Sequence, residues 1–328
     1  MHYSLTSAVF SGAISAMKIG KLGLIVSLGI VASTVSQPNS TRGATIRDDQ
    51  PDSSYLNLAA NPEYASVGTF VNSWGYTGSA VLIAPDWVLT AAHNLIAASS
   101  GTFTIGGTSY TSTQLIRNPN YQTSNPMAGS DFGLVHLSSS VEAIPPATLY
   151  TGSSELGQVG TFVGFGFTGT GLTGYKTLDG QERAFQNMID GDFGDPSLVL
   201  GCDFDSPHTT ADNVFGDTTP LTLEGCAAPG DSGGGVFITV DSQTYLAGTI
   251  SFIAATNGTP NAAYGDLTGF GRVSAFVPWI DSVMVPEPSI FALLCAACAS
   301  MFCRWRFRQS NVFDKPRSTG SSGASRTK

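Results

Sequence analysis

One serine stands in a setting that favours nucleophilic chemistry. Ser232 lies in the segment Gly230–Gly234, which reads Gly-Asp-Ser-Gly-Gly. A serine hydroxyl is a poor nucleophile unless a base removes its proton. The flanking glycines let the backbone turn sharply, expose the hydroxyl, and leave the amides of Gly230 and Ser232 free to face a developing oxyanion. One such donor typically stabilises the transition state by about 2.7–4 kcal/mol. The alternative is a glycine-rich turn with no chemistry.

The same five residues also fit the G-x-S-x-G motif of α/β-hydrolases. Those enzymes place the histidine after the serine, whereas this chain has no histidine beyond His208. Their motif also leads into a helix, whereas Gly235–Val240 is typical of a strand. We therefore look for the base upstream of the serine.

His93 is the candidate base. It ends the apolar run Val88–Ala92, and an imidazole at the end of a strand is placed where a site can form. A lone histidine in such a position is more often structural, but the full segment Leu82–His93 is too specific for that alternative.

Asp131 is the candidate third member, which must orient the imidazole and stabilise its charged form. It heads the mostly apolar strand Phe132–Leu137, which predicts a half-buried carboxylate. An ordinary loop aspartate is the alternative. Three other aspartates, Asp86, Asp203 and Asp231, are weaker candidates. None of them heads such a strand between the histidine and the serine.

The elements that must position these residues read as an all-β domain. From about residue 65, short apolar or alternating runs are separated by clusters of Gly, Asn, Asp, Ser and Pro. Near the end of the domain, apolar residues at helical spacing predict a short helix. They are Val273, Phe276, Val277 and Ile280. Pro278 predicts that this helix is short or starts late.

Together these features resemble the trypsin and chymotrypsin family. The shared features are the chain order His, Asp, Ser, the phrase Thr90–His93, the Asp-led strand and Gly-Asp-Ser-Gly-Gly. The resemblance implies a domain at 63–283 made of two packed antiparallel six-stranded β-barrels with a short C-terminal helix. It implies a serine endopeptidase that cleaves proteins or peptides through an acyl-enzyme, with no metal or organic cofactor. An inactive protease-like surface protein that only binds partners is the alternative function.

The resemblance also assigns the substrate site. Gly230 and Ser232 would form the oxyanion hole. Substrate backbone would lie along Ser251, Phe252 and Ile253, and Cys226 would form the base of the specificity pocket. An acidic residue is absent at that position, so cleavage after Arg or Lys is not predicted.

Two features depart from the family pattern. Many members have a disulfide beside the catalytic histidine, but Ser79 and Asn94 stand at those positions. The Ile-Val-Gly-Gly segment at which the mature enzymes of the family begin is matched only weakly, by Ile46 and the residues after it. Activation by a new N-terminus that pairs with Asp231 is therefore not predicted.

Charge and acidic motifs exclude other classes of ligand. Residues 1–285 carry eight Lys and Arg against 22 Asp and Glu, a net charge of −14, so nucleic-acid phosphates would be repelled. The segments Asp190–Asp192 and Asp203–Asp205 do not match the ligand spacing of a calcium loop. No metal site is predicted.

Five cysteines divide into two groups. Cys202 and Cys226 are the only two in the body of the chain, and an export signal would place them in an oxidising compartment. We expect them to form a disulfide, with two buried free thiols as the alternative.

The two ends of the chain read as targeting segments. Residues 1–36 resemble a signal peptide, whose true start could be Met17, and 37–62 read as a polar linker. Residues 284–308 combine a Pro-Glu-Pro motif, an apolar run and arginines, which resembles the PEP-CTERM sorting signal of bacteria. That resemblance implies an exosortase-type partner, membrane contact and an exported protein. Residues 309–328 are predicted to be disordered.

Overall fold

The computed structural model describes residues 43–216, 219–256, 258–284 and Met301. The described residues up to Ile280 form one compact unit, and Asp281–Met284 and Met301 belong to a second. The strands are β1 Thr45–Ile46, β2 Val67–Asn72, β3 Thr77–Ala84, β4 Trp87–Thr90, β5 Gly101–Ile105, β6 Thr108–Arg117, β7 Gly133–Leu137, β8 Val159–Gly164, β9 Thr168–Thr170, β10 Gly174–Thr177, β11 Arg183–Met188, β12 Gly191–Asp192, β13 Val199–Asp203, β14 Gly225–Cys226, β15 Gly235–Val240, β16 Gln243–Ala255 and β17 Asp266–Arg272. The helices are α1 Asp52–Ala59 and α2 Val273–Met284.

The first half of the fold is a closed six-stranded barrel in the order β2-β3-β4-β7-β6-β5. Successive side chains of a strand point to opposite faces, so alternate apolar residues of these strands meet inside the barrel. Phe70, Leu82, Val88, Phe103 and Val135 are all fully buried in one cluster there. The barrel predicted for this half is confirmed.

The second half is an open seven-stranded sheet in the order β11-β8-β15-β16-β17-β13-β12. The sequence predicted a closed six-stranded barrel here, and the difference lies between β11 and β13. In place of a main-chain ladder, the Asn187 side chain in β11 donates to the carbonyl of Asp203 in β13 at 2.5 Å, and it also donates to that of Gly225 in β14 at 3.2 Å. The half is therefore a barrel that a buried amide helps to close. The mostly β, double-barrel class of the fold is confirmed.

Residues 43–62 are part of this fold, which corrects the prediction of a linker at 37–62. Strand β1 pairs antiparallel with β14 and parallel with β9. The hydroxyl of Thr45 donates to the carbonyl of Ala262 at 2.7 Å. In α1, buried Tyr55 donates to the carbonyl of Glu224 at 3.0 Å, and Asp52 pairs with buried Arg183 at 2.6 Å. Polar composition concealed these contacts because many of them use main-chain groups or long-range ion pairs.

Helix α2 begins directly after β17 and includes Pro278 in its interior. Of the two predicted possibilities, a short helix or a late start, the first is confirmed: α2 has 12 residues and does not start late. Proline removes one helical hydrogen bond, but Val273, Phe276 and Ile280 are buried on one face. Burial of this apolar face stabilises the helix on both sides of the proline.

Cys202 and Cys226 are free, buried thiols, so the structure does not contain the predicted disulfide. Cys202 lies in β13 opposite Thr268 of β17. The Cys226 thiol contacts the hydroxyl of that same Thr268 at 3.3 Å. The threonine is thus a neighbour of both residues.

The segments predicted to direct export and sorting lie outside the described residues, apart from Met284 and Met301. The signal peptide at 1–36, the sorting segment at 284–308 and the disordered tail at 309–328 stay predictions. Among the residues that the structure describes, no helix is both long and apolar enough to cross a membrane.

We expect both body thiols to react very slowly with iodoacetamide in the folded protein. Burial raises the pKa of Cys202 and Cys226 well above the ordinary thiol value, and the thiolate is the reactive species. Mass spectrometry of the two cysteine peptides should show rapid alkylation in concentrated guanidinium chloride without reductant. Peptides that stay unlabelled until a reductant is added would contradict the free-thiol structure.

Candidate active site

The Ser232 loop connects β14 to β15 in a conformation that requires glycine. Gly230 and Gly233 have φ values of 96° and 85°, which side chains rarely adopt. A Cβ on Gly233 would lie 2.2 Å from the Ser79 carbonyl oxygen. The glycines therefore let the loop press against β3 while Ser232 stays partly exposed.

His93 and Asp131 come from the first barrel. His93 lies in a 3-10 helix, Ala92–Leu95, that follows β4, and Asp131 precedes β7. The Nδ1 atom of His93 lies 2.7 Å from Oδ2 of Asp131, and the His93 amide donates to Oδ1 at 3.0 Å. Both carboxylate oxygens thus fix the position of this histidine.

Ser251 provides a third contact to that carboxylate. Its hydroxyl donates to Oδ2 of Asp131 at 2.5 Å. The register of β16 against β17 shifts between Ile250 and Phe252, so Ser251 stands at a bulge that aims its side chain at Asp131. The resemblance places substrate backbone along Ser251, and that stays a prediction. The contact of its side chain with Asp131 was not predicted.

The Asp131 carboxylate stabilises the charged form of His93. Burial disfavours protonation of His93, but the charge and hydrogen bond of Asp131 outweigh burial and raise the pKa of His93. For Asp131, burial acts upward, while His93 and the Ser251 hydroxyl act downward and leave the pKa of Asp131 lowered. Asp131 is only 2% exposed, so water screens this attraction weakly.

Strand β16 offers an open edge beside Ser232. Its pairing with β15 ends at Thr249, while Ile253 to Ala255 continue to pair with β17 on the other side. In the described part of the chain, no strand covers the free edge after Ser251. An extended peptide can add to such an edge as a further strand.

Comparison with known proteins agrees with this arrangement. The Trypsin family matches residues 59–280, which is more than half of the chain. The chain belongs to the trypsin family. It is similar to chymotrypsin-like elastase family member 1 of Rattus norvegicus, with 29% identity over 233 residues that cover 65% of this chain and 80% of that protein. The Bos taurus protein of the same name is 28% identical over 236 residues, with the same coverage.

Within this trypsin-family site, hydrogen bonds occupy the place of the missing disulfide. The Ser79 amide and the Nδ2 atom of Asn94 both donate to the Ser232 carbonyl, at 2.8 and 2.9 Å. The Ser79 hydroxyl donates to the Gly230 carbonyl at 2.9 Å. Ser79 and Asn94 hold the serine loop against the first barrel. The sequence showed that both positions depart from the family pattern, but it did not predict that their side chains bind the serine loop.

The predicted oxyanion amides are available. Within the part of the chain that the structure describes, the N–H groups of Gly230 and Ser232 have no protein acceptor. The intervening Asp231 turns its carboxylate inward, where it accepts from the amides of Gly166 (2.7 Å), Ala228 (2.8 Å) and Ala44 (3.0 Å). Burial raises the pKa of Asp231 to about 7, against the opposing effect of the amides.

Two aromatic residues near the site were not predicted, and one of them, Tyr76, neighbours the Ser232 side chain. Trp74 and Tyr76 lie at the tip of the β2–β3 hairpin and are 73% and 39% exposed. The Oδ1 atom of Asn72 accepts from both of their amides, at 2.9 and 3.2 Å. Burial raises the pKa of Tyr76, and the neighbouring Ser232 side chain opposes that rise. The sequence signal was an aromatic pair around a turn glycine, Gly75.

The residues of the predicted specificity pocket lie close together. Cys226, 1% exposed, belongs to a buried cluster with Ala228, and Ile253 packs against that cluster. Phe252 turns toward Phe193 instead, with ring centroids 5.0 Å apart. Among the described residues, no group of three or more His, Cys, Asp or Glu side chains could hold a metal ion.

We expect the His93 imidazole to titrate above its ordinary pKa of about 6.5, because the folded protein raises its pKa through Asp131. Nitrogen NMR of the Ser232→Ala variant measures this directly. Asp131→Asn should lower the His93 pKa, since burial then acts without an opposing charge. Asp86→Asn, a matched change at a partly exposed aspartate that contacts His136 and not His93, should leave it unchanged. A His93 pKa that ignores Asp131→Asn would contradict the electrostatic account.

Proposed function

We propose that this protein is a serine endopeptidase in which His93, Asp131 and Ser232 form the catalytic triad. The observation that carries the proposal is the 2.7 Å contact between His93 Nδ1 and Asp131 Oδ2. In this trypsin-family chain the glycine-rich loop also places Ser232 in contact with Asn94, the residue that follows His93. Asp131 accepts at Nδ1, so the neutral imidazole carries its proton there and keeps Nε2 free as a base.

The reaction follows from these positions. Ser232 Oγ attacks the carbonyl carbon of the scissile peptide bond while its proton passes to His93 Nε2. The oxyanion that forms faces the amides of Gly230 and Ser232. Collapse of this intermediate breaks the C–N bond, and the leaving amine takes the proton from the imidazole. Water then attacks the acyl-enzyme with His93 again acting as base, and Ser232 is regenerated.

Substrate backbone adds to the open edge of β16 beside Ser232. That arrangement suits an extended peptide and hence an endopeptidase, because the edge continues for several residues past Ser251. Pairing through main-chain groups fixes the scissile bond over the serine whatever the substrate's side chains.

The specificity pocket suits a small or medium apolar side chain. Its base carries Cys226, whose thiol contacts Thr268, and Ile253 narrows it from the side. The nearby carboxylate of Glu224 accepts from the amides of Asp205 and Leu221, so it is occupied and does not provide a counter-ion for Arg or Lys. The similar proteins of rat and cattle are named as elastases, which agrees with this preference.

Removal of the nucleophile or base tests the proposal. We expect Ser232→Ala and His93→Ala each to lower kcat by about 10⁶, and Asp131→Asn to lower it by about 10⁴ because the imidazole would hold the wrong tautomer. The assay is hydrolysis of a peptide library by the exported protein. Retention of more than about a tenth of wild-type kcat would sink the assignment, since triad members act as a unit.

A second histidine provides the matched control. His136 also contacts an aspartate, with Nε2 3.2 Å from Asp86 Oδ2, but it is half-buried on the outside of the first barrel. His136→Ala should leave kcat within about threefold of wild type, as expected of a surface change away from the site.

Shortening Ile253 should widen the range of side chains accepted. We expect Ile253→Gly to raise the ratio of kcat/KM for Phe over Ala at the cleavage position by at least about tenfold, since each methylene is worth 10–200-fold in such pockets. Peptides that differ only at that position measure the ratio. Leu156→Gly, at a residue that is 50% exposed, is the control. An unchanged ratio would mean that Ile253 does not line the pocket.

A further inference from the structure

The turn between β2 and β3 holds two aromatic rings in contact with water. We call residues 72–76, which form this turn, the aromatic hairpin. Trp74 is 73% exposed and Tyr76 is 39% exposed. A Cβ built on Gly75, the residue between them, would meet no atom within 4 Å, so the space beside the turn is open. Apolar surface gains free energy when it leaves water, and the fold leaves most of that gain at Trp74 unused.

Hydrogen bonds fix the conformation of the aromatic hairpin. The Asn72 side chain accepts from the amides of Trp74 and Tyr76, and the Asn72 amide donates to the carbonyl of Tyr76 at 3.0 Å. The indole Nε1 of Trp74 donates to the carbonyl of Ala97 at 2.9 Å. The indole is thus anchored at its polar edge while most of its surface stays in water. A ring that is held in place before binding loses little conformational entropy when a ligand covers it.

The aromatic hairpin lies beside the proposed base and the proposed nucleophile. Nδ2 of Asn72 donates to the carbonyl of Asn94 at 2.9 Å, and Asn94 follows His93 in the chain. The Tyr76 side chain neighbours the Ser232 side chain. Strand β3, which begins at the residue after Tyr76, also binds the serine loop through a main-chain hydrogen bond. The hairpin is therefore within reach of a peptide that is bound at the serine.

The direction of the proposed reaction decides which half of that peptide meets the hairpin. The half before the cleaved bond becomes the acyl group, and it pairs with the open edge of β16 in the second sheet. The leaving nitrogen takes its proton from Nε2 of His93, which belongs to the first barrel. The residues after the cleaved bond therefore start on the side of the first barrel, where the aromatic hairpin lies.

The composition of the aromatic hairpin indicates which kind of side chain it suits. Residues 72–76 read Asn-Ser-Trp-Gly-Tyr and carry no charged group. Aromatic rings pair with other rings in offset or edge-to-face arrangements, and they bury a large apolar area. A charged side chain would lose part of its hydration here without gaining a counter-ion from this segment. The hairpin therefore suits an aromatic or a large aliphatic side chain.

We propose that the aromatic hairpin is a specificity subsite for the residues after the cleaved bond, with Trp74 as its main contact. This subsite rests on the proposed peptidase function and adds to it. Tyr76 neighbours the serine and Trp74 lies two residues away, a span that two residues of an extended peptide can cover. The pocket around Cys226 selects the residue before the cleaved bond, and the hairpin selects a large apolar side chain at one of the first two positions after it.

Transfer of an acyl group to an added amine measures this subsite directly. The full chain is acylated at Ser232 by a peptide methyl ester that ends in alanine, in the presence of a dipeptide amide. The amine nitrogen attacks the acyl carbon, and the bond from that carbon to Ser232 Oγ breaks. The proton of the amine passes through His93 to Oγ. Mass spectrometry then gives the ratio of the new peptide to the acid that water produces.

The amines are Ala-Ala amide, Phe-Ala amide and Ala-Phe amide at equal concentration. We expect the better of the two phenylalanine amines to give a ratio at least about fivefold above that of Ala-Ala amide, as contact between aromatic rings would produce. Trp74→Ala should reduce this preference to within about twofold of none. Trp74→Phe, which keeps a ring, should retain a preference of at least about threefold.

A second tryptophan provides the matched control. Trp87 stacks on His136, with ring centroids 4.6 Å apart, on the outside of the same barrel. Trp87→Ala should keep the full preference for phenylalanine. Because each preference compares amines on one variant, it does not depend on how much of that variant is active. Thermal unfolding checks that Trp74→Ala and Trp74→Phe are folded.

The possible outcomes separate this subsite from the peptidase function. Equal ratios for the three amines on the wild-type chain, or a preference that Trp74→Ala leaves unchanged, would overturn the subsite while ester cleavage still supported the peptidase. A wild-type chain that does not consume the ester faster than Ser232→Ala would overturn the peptidase function, and the subsite with it.

Discussion

The carboxylate of Asp231 is 1% exposed and is held by three amides from three separate segments of the chain. The next residue is Ser232, so the direction of this buried carboxylate fixes the direction of the serine and of the neighbouring amides. One donor, the Ala44 amide, belongs to the segment just before β1, which pairs with β14 ahead of the serine loop. The N-terminal segment therefore helps to shape the site from a distance in sequence of 187 residues.

Contacts between the first barrel and the second sheet explain how a site built from both halves keeps its geometry. The first barrel holds Asp131, and the second sheet reaches it through Ser251. In the other direction, Ser79 and Asn94 of the first barrel bind the carbonyl of Ser232. A disulfide beside the histidine would join two residues of the first barrel, whereas these hydrogen bonds cross to the serine loop. The polar replacements thus couple the proposed base to the proposed nucleophile.

Local motifs made the central part of this arrangement predictable. Ser232, His93 and Asp131 each lie in a segment whose neighbours need glycine or an apolar strand, so their positions could be read from short patterns. Closure of the second half depends on the Asn187 side chain, and the role of residues 43–62 depends on contacts such as Tyr55 with Glu224. Those contacts join residues far apart in sequence and leave no periodicity. The predicted disulfide is wrong for a related reason. The number of cysteines carries no information about how each thiol packs near Thr268.

The cost of unsatisfied polar groups explains why most buried acids of this protein lie beside hydrogen-bond donors. Most buried acids here have partners: Asp131 has His93 and Ser251, Asp231 has three amides, and Glu224 has two. Such bonds recover much of the free energy lost when a carboxylate leaves water. Glu182 differs from these acids: its Oε1 atom is buried without a hydrogen-bond partner, and burial raises the pKa of Glu182 to about 8, which favours the neutral carboxylic acid.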